Sequence, residues 1–152
     1  MDPHDPRHPS RGALRDGLLA GAVAGVLSGA PSTAWAIVAG QDPLAATRAA
    51  GSLLLPNETR RGRLLAGAAV AHTALSLGWA TALAATLPSR HTTAAGAVAG
   101  LAIAALDLGL VGRRFPRIRE LPVLPQVADH VAFGLVVGAV LTRVRSRRTS
   151  RP

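Results

Sequence analysis

The chain has 152 residues, a length that suits one domain, and 49% of them are apolar. That apolar content is Ala, Leu and Val with many Gly, beside two Trp, two Phe and no Tyr, too few rings for a soluble core of this size; the lack of Cys excludes disulfides, thiolate metal sites and Cys nucleophiles. The formal charge of +9 comes from Arg alone, and the arginines keep to the tails and loops, the pattern of membrane flanks and not of a nucleic-acid surface.

Residues 1–16, MDPHDPRHPSRGALRD, carry three Pro and mixed charge and read as a disordered tail. A first span follows at 17–40 without a charged residue. In it Gly17, Gly21, Gly25 and Gly29 stand four apart, followed in register by Thr33. Lipid is as apolar as Leu, so helices in it associate where small residues let backbones approach, and the stripe reads as a packing groove. Pro31 removes one helical hydrogen bond, which Ser28, Ser32 or Thr33 can compensate, so a bend is expected near residues 27–31. The sharper reading of the same residues is a broken helix lining an ion site. Arg11, Arg15 and the Ala34-Trp35-Ala36 triplet also resemble a secretory signal, but the run is long for one and three more spans follow.

In the first loop, Asp42 reads as an N-cap and Pro43 as the first position of a short interfacial helix running to about Leu54, with Arg48 towards the headgroups. The second span, 64–87, has Ala68, His72, Ser76, Ala80 and Ala84 at four-residue spacing. Pro88-Ser89-Arg90 is a tight link with Ser89 as N-cap, making an antiparallel hairpin with the third span, 91–112. That span contains Gly96 and Gly100, and its only charge is Asp107. The third loop sets Phe115, Ile118 and Leu121 among four arginines, a second interfacial helix closed by Pro122 and Pro125. The fourth span, 124–142, has Asp129 as its only charge beside His130, Gly134 and Gly138, and residues 143–152 form a basic tail.

The expected fold is all-α: an integral membrane four-helix bundle over 17–142, with short interfacial helices in the first and third loops. A soluble bundle would need a polar face on each helix, and the first three spans are apolar all round.

With four spans, the first and third loops share one side, and His72, Asp107, Asp129 and His130 all fall within about two helical turns of it. An ionisable residue at that depth is a functional hypothesis by default. Plain readings stand beside it: Asp107 pairing with Arg113 or Arg114, Asp129 at a helix N-terminus after Pro125, and neutral His72 and His130 bonding between helices. The combined expectation is one buried polar cluster. Two His at similar depth also suit a haem, but the aromatic residues that line a porphyrin are nearly absent. No G-x-S-x-G, H-E-x-x-H or P-loop is present, so no catalytic residue, cofactor or metal site is expected.

At DPLAATRAAGSLLLP (42–56), AHTALSLGWA (71–80) and PQVADHVAFG (125–134) the chain resembles a group of small, four-helix, multi-pass membrane proteins of actinobacteria. The resemblance implies a location and a fold and carries over no site residue.

The expected function is a structural or accessory subunit of the plasma membrane that associates through its glycine faces with itself or a membrane partner. The lipid bilayer is the other partner, its anionic headgroups meeting the arginine flanks. The alternative is a small oligomeric transporter or channel for protons or ions that uses the His/Asp cluster. Nine arginines lie on the side of the termini and eight on the other, which places the termini in the cytoplasm.

Overall fold

A computed structural model describes residues 11–149, with side chains over 12–148. The tail expected at 1–16 lies outside the described residues as far as residue 10; from Arg11 onward the chain is helical. The elements are α1 (Arg11–Leu27), α2 (Ala30–Val38), α3 (Ala45–Gly51), α4 (Arg61–Thr86), α5 (Thr92–Leu106), α6 (Pro116–Arg119) and α7 (Val123–Thr149). A π-helical turn, Asp107–Val111, and a 3-10 turn, Gly112–Arg114, continue α5. No strand occurs among the described residues.

Four stretches are long and apolar enough to cross a membrane: Gly12–Val38, Arg61–Thr86, Thr92–Arg114 and Val123–Arg148. In the most apolar 18-residue stretch of each, only 22–33% of the residues are buried within the chain. The outward side chains are mostly apolar, with Val26 at 82% exposure, Val98 at 70% and Val70 at 63%, though Thr33, His72 and Thr73 are exposed as well.

Local sequence explains the element ends. Gly40, at φ +65°, closes α2: its N–H bonds the Ile37 carbonyl at 3.2 Å, and the Gln41 N–H reaches Ala36 at 2.8 Å. Asp42 and Pro43 precede α3 in a turn and do not begin it; the Asp42 carboxylate accepts the Leu44 N–H at 2.9 Å and pairs with Arg48 at 2.7 Å. Arg48 is therefore tied to its own loop. Before α4 the Glu58 carboxylate accepts the Thr59 and Arg60 N–H groups, both at 2.9 Å. These bonds, first the backbone ones and then the arginine partners, hold both carboxyls below their ordinary range. Ser89 does not cap α5; His91 does, in the left-handed conformation at φ 55°. The third loop keeps only the four-residue α6, and α7 starts at Val123, before Pro125, because a first-turn proline lacks only an N–H that has no intrahelical partner.

Close backbone contacts run α4–α1, α1–α7 and α7–α5. The expected α4–α5 hairpin is a link without a packed face, and the two helices barely approach each other. Glycines make the close approaches. A Cβ on Gly17 or Gly21 would meet α4 backbone at Thr81 or Ser76, and Gly25 lies against the Ser76 side chain. Gly96 and Gly134 pack on each other's carbonyls, Gly100 packs on the His130 carbonyl, and Gly138 meets Thr92 and Thr93. Gly29 alone of the stripe has open space around it. Two further glycines do the same work for α3: Gly51 lies on the Leu64 backbone, and Gly67 faces Leu55 and the Gly51 carbonyl. Between the helices, Ala20, Ala24, Ala80, Leu83, Ile103, Phe133, Val137 and Leu141 form the core.

At the end of the molecule where α1 begins and α7 ends, arginines close the structure. Arg145 donates to the carbonyls of Ala84, Leu87 and Pro88 at 2.9–3.3 Å, capping α4 from α7. Arg148 pairs with the buried Asp16 at 2.7 Å.

Candidate functional site: a helix break held by ionisable side chains

The first span is interrupted where α1 ends at Leu27 and α2 begins at Ala30. Pro31 has no N–H to give, and the loosened turn leaves backbone groups at both new ends that need partners. Two come from other helices. His72, on α4, bonds the Gly25 carbonyl through Nε2 at 2.7 Å. Asp129, on α7, accepts the Ser32 N–H on Oδ1 at 2.8 Å. The carboxylate sits where the α2 N-terminus presents N–H groups and the positive end of its dipole.

That placement corrects the reading of Asp129 as a residue near the start of its own helix. It is the seventh residue of α7 and serves the N-terminus of α2 instead. Ser32 contributes its backbone, while its hydroxyl bonds the Gly29 carbonyl at 3.4 Å.

Asp107 and His130 meet directly. His130 Nε2 lies 3.3 Å from Asp107 Oδ2, and its Nδ1 lies 2.8 Å from the Gln126 carbonyl. Asp107 opens the π-helical turn, whose wider helical register belongs to a motif that recurs at functional sites. Its ion-pair partner among the described residues is His130, and no pair with Arg113 or Arg114 forms there.

The four residues therefore do not form one mutually bonded cluster. His72 bonds the Gly25 carbonyl and none of the other three, and it lies exposed at the seam of α1 and α4. Both nitrogens of His130 are engaged by protein groups, so the ring is not presented as a free ligand. Among the described residues no group of three His, Asp or Glu side chains is placed to hold a metal ion.

A cavity of about 20 Å³ adjoins the break, between Ser32 and Trp35 of α2, Ala45 of α3, and Pro125 and Gln126 of α7. It has room for about one water, far below the ~300–1,000 Å³ of small-molecule pockets.

Sequence reasoning passed over Asp16, Gly51 and Gly67, and read Arg145 only as part of the basic cluster beside the last span. A signal for Asp16 existed: it stands directly before the uncharged run, one turn from Gly12, where a tail residue would be free. No protein family, curated protein or solved structure matches the chain.

Proposed function

We propose that this chain is a multi-pass integral protein of the plasma membrane that serves as a structural or accessory subunit. The observation that carries the reading is the division of labour between faces. Apolar side chains point outward over all four spans, while each deep ionisable residue has a partner inside the chain. Such a surface suits acyl chains, and the exposed loop arginines suit anionic headgroups. The glycine grooves hold the subunit's own helices together, so association with further copies or a membrane partner falls to the outward apolar faces. The termini lie in the cytoplasm in this reading.

Extraction of native membranes with alkaline carbonate tests the reading. Retention in the pellet is expected, and release into the supernatant would overturn it. Mild-detergent purification then identifies what accompanies the chain.

One observation favours a second reading, a small proton or ion transporter. A discontinuous helix with a carboxylate at its half-helix N-terminus is an arrangement transporters use. Proton flux into liposomes containing the purified protein separates the two. The structural reading expects none above empty liposomes; the transport reading expects a flux that Asp129→Asn abolishes.

A further inference from the structure

We propose that Asp107 and His130 together form a binding site for one proton, held across the contact between α7 and the π-helical turn. The proton count follows from which atoms face which. The Gln126 carbonyl has only lone pairs to offer, so His130 Nδ1, 2.8 Å away, carries a hydrogen. A neutral ring then has a bare lone pair on Nε2. Asp107 Oδ2, 3.3 Å from Nε2, is also an acceptor when ionised. Two lone pairs do not make a hydrogen bond. The contact needs one more proton, held as imidazolium with carboxylate or as imidazole with carboxylic acid. Both microstates have the same count, so the site belongs to the pair and not to either residue.

The neighbours do not supply that proton. Asp129 is adjacent on α7 but is bonded to Ser32 N–H on α2. His72 on α4 donates to the Gly25 carbonyl. Between Asp16 and Leu27, α1 carries no charge, and α5 carries none along its whole length. Arg113, Arg114, Arg117 and Arg119 follow the π turn, and the first two are exposed. Asp107 and His130 are themselves only partly exposed, at 30% and 22%.

The inference shares with the proposed function only the placement of these helices in a bilayer, and it holds whether or not a proton crosses. The test is NMR of the full chain in lipid nanodiscs, with ¹⁵N-labelled His and ¹³C-labelled Asp, from pH 5 to 9. His130 is assigned by the signal missing in His130→Gln, and Asp107 by the signal missing in Asp107→Asn. The expected result is a protonated Nδ1 throughout, and one step in which the ring and the Asp107 carboxyl shift together. In Asp107→Asn the amide donates to Nε2, so that step is lost and the ring keeps its neutral Nδ1–H form over the range in which the native pair changes. An ionised Asp107 beside an unprotonated Nε2 across the whole range would overturn the proposal. So would a variant ring that titrates as the native one does. Should Asp107→Asn not fold, Asp107→Glu, which keeps the carboxylate, assigns the Asp107 signal by its absence and the native spectra decide the matter; carbonate extraction reports the membrane reading separately.

Discussion

The N–H of Ser32 ends on the carboxylate of Asp129, 2.8 Å away and 97 residues distant in sequence. The last long helix thus completes the first one, at the point where a proline has interrupted it. A carboxylate there answers two needs at once: an unpartnered N–H and the positive end of a short helix.

Asp129→Leu removes that acceptor and leaves the Ser32 N–H without a partner. The expected cost is about 0.5–2 kcal/mol of stability, the range for a lost helix cap. Asp129→Asn keeps an acceptor oxygen and recovers most of it. Thermal unfolding of both variants in the same detergent measures the difference; equal loss in the two would show that the bond contributes nothing.

The glycines divide into two kinds, and alanine tells them apart. Gly134→Ala places a methyl group on the Gly96 carbonyl and forces α5 and α7 apart, at a cost of about 1–3 kcal/mol. Gly29→Ala meets nothing within 4 Å at an ordinary φ of −81°, so it is neutral or stabilising by about 0.4–1 kcal/mol. A destabilised Gly29→Ala beside an unaffected Gly134→Ala would contradict the packing described.

Arg145 reaches three carbonyls at the C-terminal end of α4 and just beyond it through the two ends of its guanidinium. Arg145→Ala is expected to cost about 1.5–3 kcal/mol, the scale of hydrogen bonds to a charged group. Arg145→Lys restores the charge but not the fork, and recovers only part. Melting temperatures of the three proteins at high and low salt provide the check. Full rescue by Lys would mean that charge alone matters there.

Acid is expected to act on the loop side through two carboxyls. The carboxyls of Asp42 and Glu58 lie below their ordinary range when folded, so their contribution is complete at neutral pH. It is lost as pH falls through the depressed folded values. Hydrogen exchange at Leu44, Thr59 and Arg60 is therefore expected to accelerate on acidification below the carboxylate range, after correction for intrinsic rates. In Glu58→Gln the acceleration disappears at Thr59 and Arg60 and persists at Leu44.

The helices themselves are legible in the sequence because a long uncharged run has few other uses. The stretches 17–40 and 64–87 coincide closely with two of the apolar helices, and Pro31 marks the break. Neighbour relations are not legible. One glycine stripe looks like another, and nothing in Gly96 or Gly100 names α7 as the partner instead of α4. A short link between spans two and three invites a hairpin, yet the helices it joins leave each other for α1 and α7. Of the site, the residue identities are legible and the pairing is not. Asp129 and His130 are consecutive in sequence, about 100° apart on the helix, and so serve different neighbours.

The order of neighbours has a consequence for biogenesis. A chain emerging from the ribosome can dock α4 on α1 as soon as both are made, since their shared seam needs nothing later. α5 enters next with no seam on either. Its Gly96–Gly100 groove and the Asp107 carboxyl wait for the 23 residues that separate Asp107 from His130, and for the rest of α7 after them. Until then α5 has no long helix packed against it, and the first apolar helix remains unfinished at Ser32. The arrival of one segment, α7, completes both together, so folding of this chain should run as a pair, a pause, and a single concerted completion.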